Sequence, residues 1–363
     1  MLSDEGIGRW AELLAGYCLD VRRGETISIG STIEAVPLIE AAARAVIERG
    51  GHPLVRIELP GVTEFFLQRA DDEQLTHIPA STLAEAQEAD GRIRIAADED
   101  TSAMRGVDPR RQAAFERSRD PLRRLARQKR WVLTQYPTAG YARLAGMELS
   151  EYEAFLARAL FLDRPDPAEA WRELGRRQAG LVEFMSGVRS IRIEGEGTDL
   201  SLSVEGRTWI NSDGRRNMPS GEIFTGPIED SANGRIRCGF PVCRDGRQLS
   251  GIELEFRDGT VVEARAEDGE DYLNAMLDVD AGARRLGELG LGLNYGIDRF
   301  TGSILFDEKI GGTVHLAVGQ SYPETGGTNA SALHWDFIVD TRRNARIHAD
   351  GRLVMEDGRW LVG

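Results

Sequence analysis

Thr26-Ile27-Ser28-Ile29-Gly30, then Ile33 to Arg49 closed by Gly50-Gly51, then Pro53-Leu54-Val55-Arg56-Ile57-Glu58-Leu59, is the stretch from which the fold is read. The outer pieces are short β-type runs. The middle is an Ala-rich amphipathic helix, ended where glycine can take the left-handed cap conformation. Strand, helix and strand in so short a span make a βαβ unit, so the first half of the chain is expected to hold a partly parallel sheet. Gly91-Arg92-Ile93-Arg94-Ile95-Ala96 and Arg130-Trp131-Val132-Leu133-Thr134 read as further strands. Polar helices are expected over Pro109 to Gln128 and Ser150 to Leu162, and Asp166-Pro167 supplies the cap and first turn of a helix reaching Met185.

Past residue 185 the apolar period falls to two. Ser190-Ile191-Arg192-Ile193-Glu194 and Leu200-Ser201-Leu202-Ser203-Val204 alternate around the turn Gly195-Glu196-Gly197-Thr198. Further strands are expected at Arg235 to Val242, Ile252 to Phe256 and Val261 to Ala266, a helix over Asp271 to Leu286, and strands again between Ser303 and Val339. A chain of 363 residues exceeds the size at which one core usually keeps growing. The expected architecture is α/β: an N-terminal α/β domain over 1–185 with a partly parallel sheet, and a β-rich α+β C-terminal domain over 186–363 that carries a metal site.

Composition excludes several classes. With 41% hydrophobic and 29% charged residues the chain reads as an ordinary globular protein. A net charge of −14 argues against nucleic-acid binding, which needs clustered cations. The richest basic stretch, Arg123 to Arg130, alternates with Leu122, Leu125 and Ala126 as a solvated helix face does. No run approaches the length of a membrane span, and the N-terminus lacks the basic-then-apolar pattern of a secretion signal. Cys18, Cys238 and Cys243 are an odd number at spacings unlike a thiolate metal site or a disulfide framework, so a reducing cytoplasm is expected.

The second half carries the chemistry. In Ser331-Ala332-Leu333-His334-Trp335-Asp336-Phe337-Ile338-Val339, an imidazole and a carboxylate two residues apart leave the same face of a strand, which suits a divalent metal and not an apolar core. Gly311-Gly312-Thr313-Val314-His315-Leu316-Ala317-Val318-Gly319 puts a second histidine in a β-type run. Glu288, in Leu286-Gly287-Glu288-Leu289-Gly290-Leu291-Gly292, is a lone charge among apolar and glycine neighbours, and needs a cation if the segment is buried. Glu222, in Gly221-Glu222-Ile223-Phe224-Thr225-Gly226-Pro227, reads by itself as an edge-strand glutamate facing water. Asp307-Glu308-Lys309 reads equally well as a solvated turn. Tyr322, opening the loop between the two histidine strands, is either a core hydroxyl or a donor to a developing oxyanion. His348, near a terminal hairpin turn, reads as a surface residue, and His52 and His77 have no ligating company. Two histidines, an aspartate and up to three glutamates without thiolates suit Zn²⁺, Co²⁺ or Mn²⁺, and carboxylate-rich sets of this size typically hold paired ions ~3.5–4 Å apart.

Five segments, taken in order, resemble the aminopeptidase T family, the M29 thermophilic metallopeptidases. They are Gly221 to Pro227, Arg284-Arg285-Leu286-Gly287-Glu288, Phe306-Asp307-Glu308, His315 to Tyr322 and Gly326-Gly327-Thr328-Asn329-Ala330-Ser331-Ala332-Leu333-His334-Trp335-Asp336. The resemblance implies a homodimeric metalloaminopeptidase that takes peptides with a free N-terminus and uses two divalent ions. It implies Glu222, Glu288, Glu308, His315, His334 and Asp336 as metal ligands and Tyr322 as the active-site tyrosine; Glu288, whose neighbours leave it no other partner, is expected to contact both metal and water. Two departures stand out: the segment between His315 and His334 is shorter than in longer family members, which suggests more open access, and that between Glu308 and His315 is longer. Two histidines and an aspartate also make the facial triad of a mononuclear iron dioxygenase that cleaves dihydroxypyridine rings. A metal- or peptide-binding protein without catalysis is a third reading.

Overall fold

The protein is described by a computed structural model covering residues 2–244 and 247–363. The chain forms two compact units, Met1–Ala170 with Gly214–Pro219, and Trp171–Asp213 with Ser220–Gly363. In the first unit, β1 (Thr26–Thr32), β2 (His52–Glu58), β3 (Gly91–Ala96) and β4 (Arg130–Gln135) lie in the order β2-β1-β3-β4, extended by the short strand Asn217–Met218. All of these pairings are parallel. The helix after β1 opens as a 3₁₀ turn at Ile33–Ala35 and continues over Val36–Glu48. It buries Leu38, Ile39, Ala42 and Val46, the apolar stripe that such a crossover helix needs. Gly50 then takes φ +80°, the left-handed cap expected of it.

Three sequence expectations fail here for local reasons. The helix expected over Pro109 to Gln128 is two helices, Pro109–Ser118 and Asp120–Arg127. Pro121 has no N–H to continue the ladder through Arg119. The helix expected over Asp271 to Leu286 spans only Glu270–Leu277. Beyond it the Asp280 carboxylate accepts from Gly282 N, Ser331 Oγ and Ala332 N, which holds residues 278–285 as a loop. The strand expected over Arg235 to Val242 is instead Asn233–Arg237 and Val242–Arg244 in separate sheets, split around Pro241, which cannot donate to a ladder.

The second unit holds two larger sheets. One has eight strands in the order Thr260–Arg265, Glu253–Arg257, Asn233–Arg237, Thr198–Ser203, Ser190–Gly195, Arg346–Ala349, Arg352–Glu356 and Arg359–Trp360. The other carries the candidate ligands: β5 (Ile210–Ser212), β6 (Glu222–Thr225), β7 (Leu286–Gly292), β8 (Val314–Gly319) and β9 (His334–Val339), antiparallel in the order β9-β8-β7-β6-β5. β7 and β8 are buried along their whole length. Between β7 and β8, where strands were expected from Ser303 onward, Ile304–Asp307 forms a single helical turn.

The alternation of side chains sorts this sheet into two unlike faces. Leu289 pairs with Leu316 and Leu316 with Phe337, and these residues join the unit's apolar core. On the opposite face Gly290 pairs with His315, Ala317 with both Glu288 and Asp336, Gly319 with His334, and Gly292 with Glu222. Each ligand-type side chain thus stands beside a residue with little or no side chain. At Gly290 this is compulsory, because a Cβ there would lie 1.9 Å from Cε1 of His315. Gly290→Ala is therefore expected to leave the far-UV circular dichroism unchanged while displacing the imidazole, with activity falling by about a hundredfold, as ångström-scale misplacement of reacting groups can produce. Undiminished turnover in this variant would show that the ring's position is not critical.

Candidate metal centre

Read by itself Glu222 suggests a water-facing edge carboxylate and by family likeness a ligand; β6 lies between β5 and β7, and Glu222 is buried. Gln178, from the helix Pro167–Met185, holds its strand by donating to Glu222 O at 2.6 Å, Asn211 Oδ1 at 2.9 Å and Ser212 O at 3.2 Å. Glu308 is not a solvated turn residue either: the helical turn Ile304–Asp307 brings it, mostly buried, beside Glu222 and His315. Glu288, His315, His334 and Asp336 reach the same place from β7, β8 and β9.

The six groups form two sets, Glu222 with Glu308 and His315, and Glu288 with His334 and Asp336. Within each set one ligand atom per residue lies within 4.8 Å of the others. Glu288 joins the sets: its Oε1 is 3.4 Å from His315 Nε2 and its Oε2 is 3.4 Å from His334 Nε2. His315 Nε2 is also 3.7 Å from Glu222 Oε2, and His334 Nε2 is 3.6 Å from Asp336 Oδ1. Each histidine directs its other nitrogen at a carbonyl, His315 Nδ1 to Glu308 O at 2.9 Å and His334 Nδ1 to Gln320 O at 2.8 Å. A carbonyl can only accept, so Nδ1–H donates and the Nε2 lone pair of the neutral ring faces the carboxylates, the tautomer a metal requires.

Burial disfavours charge on Glu222, Glu288 and Glu308 and raises the pKa of all three. For the histidines burial works the other way, yet the neighbouring carboxylates outweigh it. His315 rises to about 9 beside Glu288, Glu222 and Glu308, and His334 to about 10 beside Asp336 and Glu288. Asp336, despite its burial, is drawn down to about 2 by His334. Glu222 Oε2 and Asp336 Oδ1, one in each set, have no hydrogen-bond partner although both are buried. Such orphaned anionic oxygens, beside histidines whose Nδ1–H bonds leave Nε2 for a metal that displaces its proton, fit a divalent ion in each set.

Tyr322 stands at the rim, 40% exposed, with its ring 5.2 Å from that of His334 and 5.5 Å from that of Phe224. Partial burial and then the carboxylates of Glu288 and Asp336 push its pKa upward, so the phenol keeps its proton. Its loop is fastened at several points. Thr325 Oγ1 donates to Tyr322 O, Glu229 accepts from Thr328 N and Oγ1, and Asn329 Nδ2 donates to Gly282 O and Gly319 O.

Sequence reading missed Lys309. Its side chain is wholly buried, with Nζ 3.4 Å from Glu222 Oε1 and hydrogen-bonded to Glu308 Oε1. Next to two acids after an apolar run, it has the composition of a surface turn. Gln178 was missed too, since a glutamine on a polar helix gives no signal of the backbone it will serve. His348 meets Glu194 at 3.1 Å, away from the metal-type sets.

The family model described as thermophilic metalloprotease (M29) matches residues 3–360. The chain belongs to the M29 family. Aminopeptidase 2 of Geobacillus stearothermophilus is 28% identical over 98% of this chain and 95% of its own length. The solved structure of wild-type AmpT from Thermus thermophilus matches with a TM-score of 0.85 at 28% identity, covering 98% of this chain and 99% of the other. The structure of 2,5-dihydroxypyridine dioxygenase from Pseudomonas putida KT2440 matches with a TM-score of 0.65 at 16% identity over 100% of this chain and 99% of the other, a likeness of fold. As an M29 protein the chain is a metallopeptidase, and a divalent metal is its cofactor.

Without metal, the two histidines make the stability of this M29 protein fall as pH rises above neutrality. Both have folded pKa values above their ordinary 6.5, so their stabilisation is fully present below pH 6.5 and is lost as pH climbs through about 9 and about 10. Asp336 acts in the opposite sense, its contribution fading only as pH falls below 3.8 toward about 2. The chelator-treated protein should therefore melt at progressively lower temperature from pH 6.5 to 10. A melting temperature that holds level or rises over that range, followed by scanning fluorimetry, contradicts this account.

Proposed function

We propose that this M29 chain is an aminopeptidase that removes the N-terminal residue of peptides by attack of a water activated between two divalent ions. One ion would be held by Glu222, Glu308 and His315, the other by Glu288, His334 and Asp336. The observation that carries the reading is Glu288, whose two oxygens address the two histidines at equal distance, as a carboxylate shared by two ions would. The name of the Geobacillus stearothermophilus relative, an aminopeptidase, supports the same choice. The chemistry supplied by bound divalent ions is polarisation of the scissile carbonyl and a lowered pKa, towards ~7, for a bound water.

The chain's own groups supply the rest. Four carboxylates at one spot make a field that draws in the cationic α-amino group of a peptide. Glu288, between the two sets, is placed to accept the proton of the attacking water. Tyr322, held protonated, donates to the oxyanion that forms as the carbonyl is attacked. We further infer that catalysis resides in the half from 186 to 363, and that the protein works as a homodimer in a reducing cytoplasm. In keeping with the last point, Cys238 and Cys243 are free thiols. No helix among the described residues is long and apolar enough to cross a membrane.

The test is to strip the protein with chelator, restore Co²⁺, Zn²⁺, Mn²⁺ or Fe²⁺ singly, and measure metal per chain beside release of a leucine anilide. Two ions per chain with release dependent on a divalent ion is the expected result; one iron per chain with oxygen consumption on a dihydroxypyridine would replace the peptidase with a dioxygenase. His334→Ala should abolish release while the protein stays folded, because the lost group is a ligand and not a packing element. Tyr322→Phe should retain its metal and lose about 10²–10³ in kcat, the usual effect of removing one oxyanion donor. An unchanged kcat would take the tyrosine out of the mechanism.

A further inference from the structure

Lys309 has no part in the chemistry above, yet its ammonium stands among the oxygens that one ion would need. It is fully buried, it lies 3.4 Å from Glu222 Oε1, and it donates to Glu308 Oε1. Among the described residues the other set has no such resident: Glu288, His334 and Asp336 gather around one another, and Asp336 Oδ1 meets no donor. The two halves of the centre therefore differ in charge before any metal arrives. One holds a fixed cation among its carboxylates, and the other does not.

Glu222 shows how lysine and metal can coexist. Its Oε1 faces Lys309, while its Oε2 is free of hydrogen bonds and lies 3.7 Å from His315 Nε2. An ammonium can only donate, so it occupies carboxylate oxygens that would otherwise face the ion and adds a like charge beside it. A cation within ~4 Å of another in a water-poor cavity is strongly repelled.

We propose that Lys309 is a positioning residue that makes the two metal positions unequal. The Glu288–His334–Asp336 half takes its ion first and tightly; the Glu222–Glu308–His315 half takes the second ion weakly, because Lys309 already neutralises part of it. The same lysine keeps Glu222 and Glu308 gathered while that position is empty. This inference rests on the two-metal reading.

The test is a calorimetric titration of chelator-stripped full-length protein with Mn²⁺, together with the melting temperature of the stripped and loaded forms. The native chain should bind in two steps whose dissociation constants differ by about tenfold or more, as a nearby buried charge can produce. Lys309→Met, of similar length and without charge, should tighten the weaker step and narrow the gap, while lowering the melting temperature of the stripped protein more than that of the loaded one. Equal steps in the native chain, or a weaker step loosened by the substitution, would overturn the role given to Lys309 and leave the two-metal reading standing. One ion in the native chain and two in Lys309→Met would support the inference in its strongest form. One ion in both would overturn inference and two-metal reading together. Should Lys309→Met not fold, Lys309→Gln takes its place in the same titration, with the same outcomes deciding.

Discussion

Four carboxylates, those of Glu222, Glu288, Glu308 and Asp336, converge in one cavity of the second unit, and their mutual repulsion is the condition to which the surrounding structure answers. Removing even one ion from water costs several kcal/mol after relaxation, so a group of four needs cations of its own. Without metal these are Lys309 and the two histidines, whose affinity for protons rises accordingly. The arrangement is costly to hold, and it favours whatever positive charge can enter. A peptidase of the M29 family turns that appetite to divalent ions.

The sheet makes such crowding possible. Its apolar face, with Leu289, Leu316 and Phe337, anchors the strands in a packed core, and the other face is left for polar groups. Core packing fixes the strands' register, and the register fixes which side chains meet. Ligands borne on strands are held more rigidly than ligands on loops, and only Glu308 and Tyr322 come from outside the strands. Glu308 is nevertheless fastened, through its carbonyl to His315 and its carboxylate to Lys309.

Much of this was legible in the sequence, for reasons that differ by residue. His334 and Asp336 announce themselves because a period of two is unambiguous in an apolar strand. Glu288 does so because a lone charge among glycines and leucines has few other uses. The parallel sheet follows from the strand–helix–strand run at residues 26–59, where every pairing is parallel. Glu222 and Glu308 were legible only through family likeness, since what buries them is the tertiary placement of β6 and a helical turn. Lys309 was not legible at all, because nothing local distinguishes a lysine in a solvated turn from one sealed among carboxylates. The misplaced helix ends at Asp120-Pro121 and after Leu277 fail for a similar reason, being decided by a proline and by an Asp280 side chain that reaches across to Ala332.

The two-faced sheet also governs how the chain can change length. Shifting β7, β8 or β9 by a single residue would turn its ligands toward the core and its leucines toward the cavity, so insertions and deletions within these strands destroy the centre. Between the strands register imposes no such rule, and length there is limited instead by single contacts, those of Glu308 and Lys309 in the link to His315 and those of Thr328 and Asn329 in the loop after Tyr322. The ions' setting is thus fixed by strand register, while the shape presented to a peptide depends on the contacts that fasten the rim.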